Sequence, residues 1–256
     1  MKGILLAAGY ATRLYPLTKD KPKALLPVGG RPILDYIVDE MNTIPELDQI
    51  IVVSNHRFVS QMQAWADGRN YLQPADKQIL VIDDMTTSDE DKLGAIGDIS
   101  FCIDELDIDD DVVVIAGDNL FTYRLADAWE AFKQRACDMI LIQNLPPQED
   151  PRRFAIVSVD ADGYVTEMVE KPEHPASRLA AYATYFYKRE TLPLIREYLL
   201  SGNKPDAPGN FPAWLHKRRP VFAYEFEGVC IDIGTPESYE DVKTTFPAVR
   251  STGTIG

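Results

Sequence analysis

The residues best equipped for chemistry lie in the opening stretch, MKGILLAAGYATRLYPLTKDKPKALLPVGGRP, residues 1–32. An apolar run breaks into the small residues Ala7, Ala8 and Gly9, and positive charge gathers behind it. Residues 1–31 hold six basic side chains (Lys2, Arg13, Lys19, Lys21, Lys23, Arg31) against the single acid Asp20, although the chain of 256 residues carries a net charge of −14. DNA, RNA and anionic membrane need a broad cationic face. A confined positive cluster in an acidic body suits a small anionic ligand instead. Small residues let backbone amides approach phosphate closely, and Gly9 is free to take a positive φ. Arg13 offers a planar fork for phosphate oxygens, and Lys23 is flanked by Pro22 and the apolar run Ala24, Leu25, Leu26. The sequence contains neither GxxxxGK[ST] nor any Gly-x-Gly, so a P-loop and a dinucleotide fingerprint are both excluded.

Those residues must be positioned by regular elements, and the pattern supplies them. Apolar runs rich in β-branched residues stand at 2–7, 49–54, 78–83, 111–117 and 138–144, separated by amphipathic segments at 32–41, 59–67, 93–105 and 125–135. Short buried strands alternating with helices predict an α/β fold, Rossmann-like, with a mostly parallel mixed sheet and helices on both faces. In such sheets ligands sit beyond the carboxyl ends of the strands, which directs attention to the loop after the first one. After residue 150 the pattern becomes β-rich. FAIVSVDADGYVTEMVEK alternates about Asp162-Gly163, a hairpin signal, and is followed by the strand AAYATYFY, a helix at 189–201 ended by Gly202, and VFAYEF and VCIDIG. A last helix is expected from Pro236, with Thr235 as its N-cap. The acid cluster 104–111 reads as a solvated turn, since the glycine and terminal glutamate of an EF-hand are missing. One domain over 1–250 is expected, with 251–256 a tail.

Single residues outside the first loop have plain structural readings. His56, His174 and His216 lack metal spacing and are expected on the surface. Trp65, Trp129 and Trp214 fall on helical patterns as packing residues, and Tyr182, Tyr185 and Tyr187 alternate as strand residues do. Cys102, Cys137 and Cys230 form no CxxC pair, which predicts a reducing compartment. No run approaches the ~20 apolar residues of a membrane span, and a cytoplasmic location is expected.

The loop motif is more specific than its parts. LAAGYATRLYPLT, KPKALLPV and GGRPILDYIV resemble, in matching order, the signature L-A-x-G-x-G-T-R-L-x-P-x-T, P-K-x-L-L-P-V and following helix of the sugar-1-phosphate nucleotidyltransferases, also called nucleotide-sugar pyrophosphorylases. LGAIGD (93–98), VIAGDNLF (115–122), DPRRFAIVSVDADGYVTEMVEKP (150–172), AAYATYFY and CIDIGTPESY extend the resemblance over almost the whole chain, and the pattern is most similar to the thymidylyl- and uridylyltransferases of glucose 1-phosphate. Three alanines, Ala11, Ala155 and Ala183, replace family glycines, and a left-handed backbone at Ala11 would cost ~1 kcal/mol or more.

The resemblance implies a reaction between a nucleoside triphosphate and a sugar 1-phosphate that yields a nucleotide-sugar and pyrophosphate, with residues 1–145 mainly nucleotide-binding and 146–246 mainly sugar-phosphate-binding. It assigns catalytic roles to Arg13, Lys23, Asp118, Lys171 and Asp232, with Asp118 and Asp232 holding Mg²⁺. Nucleotide binding falls to Leu6, Ala8, Gly9, Ala11, Thr12, Arg13, Lys23, Asp83 and Gly94, and sugar-phosphate binding to Asn119, Ala155, Glu170, Lys171 and Tyr185. Asp83 or Asp84 stands where relatives carry a base-reading glutamine. The base is expected to be that of dTTP or UTP and the sugar phosphate glucose 1-phosphate. A CTP-dependent cytidylyltransferase acting on a sugar 1-phosphate or phosphocholine, and a non-catalytic nucleotide-sugar sensor, are the alternatives. Neither nucleic acid nor membrane is an expected partner, and homo-oligomer formation is left open.

Overall fold

A computed structural model describes residues 1–252, with side chains described through Phe246. In chain order the strands are β1 (Lys2–Leu6), β2 (Pro27–Val28), β3 (Arg31–Pro32), β4 (Gln49–Ser54), β5 (Gln78–Asp83), β6 (Val112–Ala116), β7 (Asn119–Phe121), β8 (Asp138–Asn144), β9 (Ala155–Val159), β10 (Val165–Glu170), β11 (Leu179–Tyr187), β12 (Val221–Glu225) and β13 (Cys230–Asp232). The helices are α1 (Ile33–Met41), α2 (Val59–Leu72), α3 (Ala95–Glu105), α4 (Leu125–Arg135), α5 (Leu192–Leu200), α6 (Asn210–Leu215) and α7 (Pro236–Thr252). Two compact units emerge. The first comprises Met1–Lys92, Ile115–Ala126 and the chain from Gly228 on; the second comprises Leu93–Val114 and Asp127–Glu227.

The first unit is built on parallel strands. β1 pairs with β4 (Ile4 opposite Ile51) and β4 with β5 (Ile51 opposite Leu80). The amide of Gly117, just past β6, donates to Leu6 O at 2.9 Å. Ile4, Leu5 and the run Ile50–Val53 are fully buried. Each such side chain contributes about 1.5–3 kcal/mol through burial. The sequence ILDYIVDEM makes α1 because its apolar residues recur at helical spacing, and Ile33, Leu34, Ile37, Val38 and Met41 are all buried. Phe246 of α7 packs edge-on to Tyr36 at 5.4 Å, and Tyr239 donates to Pro27 O at 2.8 Å. Thr235 caps α7 as expected, its Oγ1 accepting from the Ser238 amide at 3.2 Å.

The second unit is mixed. β9 and β10 form the expected antiparallel hairpin, β11 runs antiparallel to both β9 and β8, and β12 runs parallel to β8. Gly163 takes φ 86° at the hairpin turn and Gly202 φ 75° beyond α5. Tyr182, Tyr185 and Tyr187 are all buried. β11 bulges against β8 between Tyr182 and Tyr185, which places Ala183 in the irregularity without a positive φ.

Three expectations change. α2 continues to Leu72, five residues past the amphipathic pattern, because Asn70 brackets Ile79 with two backbone hydrogen bonds at 2.9 and 3.0 Å. The cluster 104–111 is more than a solvated turn: Asp111 accepts from Lys188 Nζ at 2.5 Å and from the Arg189 amide at 2.8 Å. His216 is half-buried at the end of α6, its Nε2 buried without a partner among the described residues, and burial holds its pKa below the usual imidazole value.

Candidate functional site

The loop after β1 is strapped to the carboxyl ends of the neighbouring strands. Asn55 Nδ2 donates to Ala8 O at 2.8 Å, the hydroxyls of Tyr10 and Thr86 lie 3.2 Å apart, and Gln61 Nε2 reaches Asp20 O at 3.0 Å. The backbone departs from expectation at one point. Gly9 does not take a positive φ; Ala11 does, at φ 47°, ψ 42°. The alanine therefore adopts the left-handed conformation at a cost of about 1–2 kcal/mol, and Ala11 O repays part of it by accepting from Thr18 Oγ1 at 2.8 Å and from the Leu14 amide at 3.0 Å. What Gly9 supplies is room, since a Cβ there would meet nothing within 4 Å. Leu6 and Ala8 form the floor before the turn, and Thr12 and Arg13 open a 3-10 turn on the exposed side.

The six-cation cluster divides once folded. Lys2 pairs with Asp48 at 3.0 Å and Arg31 with Asp39 at 2.8 Å, so neither faces a ligand. Trp65 and Arg69 join that network, the indole N–H donating to Asp35 at 2.9 Å and the guanidinium reaching Asp39 at 3.0 Å. Arg13, Lys19 and Lys21 are exposed and pair with no carboxylate among the described residues.

Lys23 is the exception. It opens a 3-10 turn after the extended Pro22, anchored by buried Ala24 and Leu25. Its Nζ stands 2.7 Å from Asp118 Oδ2 and 3.5 Å from Asp232 Oδ1. Asp118 lies in the turn between β6 and β7, which the tight approach of Gly117 to Leu6 holds against the end of β1; a Cβ at Gly117 would come within 2.9 Å of Leu6 O. Asp232 ends β13, and the antiparallel register of β13 on β7 puts it opposite buried Asn119. Two carboxylates from distant parts of the sequence thus converge on one cation. Among the described residues no group of three or more His, Cys, Asp or Glu could hold a metal ion. Paired hard oxygens with an incomplete protein shell are nevertheless the donor set a magnesium ion takes. Cys230, beside both acids, is half-buried, and burial holds its thiol protonated.

The remaining acids of the first unit are engaged. Asp84 is buried and accepts from the Thr86 amide and hydroxyl, each at 2.8 Å; burial raises its pKa. Asp83 accepts from His56 Nδ1 at 2.6 Å and from the Met85 amide at 2.8 Å. His56 is on the surface as expected, yet it is a partner of the very carboxylate singled out for the base, which sequence spacing gave no way to find.

In the second unit Gly94 caps α3 at φ 79°. The next two amides, Ala95 and Ile96, donate to Asp206 O at 3.4 Å and Pro205 O at 2.9 Å, which leaves the Gly94 N–H without a partner among the described residues. Glu170 ends β10 opposite buried Ala155. Burial raises its pKa against the opposing pull of Lys171, 3.9 Å away. Lys171 is exposed and left-handed at φ 47°, its amide fixed to Phe154 O at 3.1 Å. Tyr185 is buried, and both burial and the nearby Glu170 hold its hydroxyl protonated. The start of α6 closes over this acid, where a Cβ on Gly209 would fall 2.5 Å from Glu170 Oε2.

Comparison with known proteins identifies the family. The profile of the nucleotidyl transferase family matches residues 2–248, and the chain belongs to that family. A provisionally named mannose-1-phosphate guanyltransferase of Sulfolobus acidocaldarius is 29% identical over 93% of this chain and 61% of its own length. The UTP–glucose-1-phosphate uridylyltransferase AglF of Haloferax volcanii is 25% identical over 95% of both chains. Among solved structures, a provisionally named glucose-1-phosphate thymidylyltransferase of Bacillus anthracis in complex with sucrose superposes with a TM-score of 0.80 at 26% identity, covering 100% of this chain and 97% of that one. The chain thus spans less than two thirds of the Sulfolobus relative. The expected α/β, Rossmann-like fold is the fold observed. Among the described residues no helix is long and apolar enough to cross a membrane.

Proposed function

We propose that this protein joins a nucleoside triphosphate to a sugar 1-phosphate, giving a nucleotide-sugar and pyrophosphate. An oxygen of the sugar phosphate attacks the α-phosphorus; the new P–O bond forms as the bond to the β-phosphate oxygen breaks, and its electron pair leaves with pyrophosphate. The nucleophile is already an anion at neutral pH, so no general base is needed. The demand is electrostatic: two anions must be aligned and the charge on the leaving group stabilised.

The observation that carries this reading is the Lys23 ammonium between Asp118 and Asp232, beside a loop that keeps Gly9 open and Arg13 unpaired. Arg13 holds the departing pyrophosphate and Lys23 neutralises the α-phosphate. The backbone from Leu6 to Thr12 cradles the nucleotide. In the second unit Glu170 accepts from sugar hydroxyls and Lys171 grips the sugar phosphate, with Ala155 and Tyr185 beside Glu170. Asp118 and Asp232 would hold Mg²⁺, which supplies charge neutralisation at the phosphates when bound. The names of the Haloferax and Bacillus relatives favour UTP or dTTP with glucose 1-phosphate as substrates. Three free cysteines suit a reducing, cytoplasmic setting, and the acidic net charge leaves nucleic acid and membrane out.

Pyrophosphate release, measured across sugar 1-phosphates and the four common triphosphates, tests the reaction. Arg13→Ala should lower turnover about 10²-fold, the effect of deleting one charge-stabilising donor, with the melting temperature unchanged because Arg13 is exposed. Near wild-type turnover in that variant contradicts the role.

A further inference from the structure

We propose that His56, held by Asp83 and flanked by Met85, reads the base and selects a uracil or thymine ring. The proposal rests on the reading of this protein as a nucleotidyltransferase and names the residue that decides its nucleotide. The carboxyl ends of β4 and β5 run directly into the residues that strap the phosphate loop. Asn55 holds Ala8, Thr86 meets Tyr10, and the guanidinium of Arg57 donates to Lys19 O. His56 lies between Asn55 and Arg57, and its own amide donates to Thr86 O at 2.9 Å. His56 and Met85 are therefore fixed on the flank of the loop that would carry the phosphates.

Both nearby carboxylates already hold donors of the protein. Both oxygens of Asp83 are engaged, Oδ2 by His56 Nδ1 at 2.6 Å and Oδ1 by the Met85 amide at 2.8 Å. Asp84 is buried on Thr86. The His56 side chain, by contrast, is 57% exposed. Its bond to Asp83 assigns a ring proton to Nδ1, and in that tautomer Nε2 is the acceptor turned to a ligand. Met85 gives a second, independent sign. It holds φ 65° and is 67% exposed, a left-handed conformation that few non-glycine residues adopt and that gathers at binding sites. The strain is sustained by Asp83 on one side. On the other side Asp91 collects the amides of Thr87 and Ser88 at 2.8–3.1 Å. Met85 is thus an exposed residue with a polarizable thioether, its backbone held by the same carboxylate as His56. A flat ring can lie on such a surface.

An acceptor at Nε2 matches the N3–H of uracil or thymine. Cytosine presents a lone pair at N3, so an acceptor aligned on that position meets repulsion instead of a donor.

Isothermal titration of wild-type protein with UTP, dTTP, CTP and GTP, in magnesium and without a sugar phosphate, reads selection apart from turnover. UTP or dTTP should bind at least about 10-fold tighter than CTP, one hydrogen bond's worth of discrimination. His56→Leu should remove that ratio. His56→Gln, which restores an acceptor at the reach of Nε2, should keep it. Selection unchanged in His56→Leu, or tightest binding of CTP or GTP by the wild type, overturns the proposal. Selective binding without pyrophosphate release from any sugar 1-phosphate would instead sink the proposed reaction and leave the base reader standing.

Discussion

Replacing Lys23 by methionine keeps the aliphatic stem and removes the cation from between Asp118 and Asp232. The size of the effect follows from the geometry. The lysine side chain is 11% exposed, the two carboxylates 37% and 58%, and the separations are 2.7 and 3.5 Å. Ion pairs this open to water are worth about 0.5–1 kcal/mol each, so vacating the point between the acids costs about 1–2 kcal/mol. A divalent cation entering the nucleotide-free protein must displace the ammonium or share its ligands with it, and two cations at that spacing repel. Lys23→Met should therefore bind Mn²⁺ about 5–30-fold tighter than wild type, since 1.4 kcal/mol is tenfold. Free Mn²⁺ followed by electron paramagnetic resonance measures this without turnover. Pyrophosphate release should fall in the same variant, because the charge proposed to neutralise the α-phosphate has gone. Tighter metal binding together with lower activity is the combined signature. Equal or weaker Mn²⁺ binding by Lys23→Met refutes the reasoning that the lysine occupies the point where the metal would sit.

Two further expectations concern stability. Ala11→Gly should raise the melting temperature by about 2–4 °C, because glycine takes φ 47° without the penalty of about 1 kcal/mol that alanine bears; a lower melting temperature would show that the loop has no strain to release. Asp138 is buried at the start of β8, accepting from the Lys188 amide and Thr191 hydroxyl at 2.8 Å each, and burial pushes its pKa from 3.8 up to about 6. A carboxyl raised on folding contributes stability that is complete below its unfolded pKa and is lost as the pH rises through about 6, a loss of about 3 kcal/mol by pH 8. Asp138→Asn should flatten that part of the profile, so that the melting temperatures of the two proteins diverge between about pH 4 and 7 in the variant's favour and run parallel above it. Parallel profiles over that range would rule the carboxyl out as the source.

The sequence by itself determined the strands β1, β4, β5 and β8 to within a residue or so, the hairpin about Gly163, the cap of α7, and the loop that gathers Arg13 and Lys23. These are written locally, in β-branched runs, turn residues and a motif whose members are near neighbours in the chain. Four matters were decided only by tertiary structure. Arg31 and Lys2 counted as part of the cationic cluster until Asp39 and Asp48 took them. The length of α2 depended on a strand edge that Asn70 could bracket. Asp83 stood alone in the sequence, and its imidazole partner came from the end of another strand, 27 residues away. Asp232 lies in the half of the sequence expected to hold the sugar phosphate, yet it belongs to the first unit, because β13 pairs with β7 in the register that sets it opposite Asn119. Local propensity fixes what each segment becomes. Which side chains share a cation is set by strand register and by the competition among carboxylates for a few basic groups, and neither quantity exists until the chain has folded.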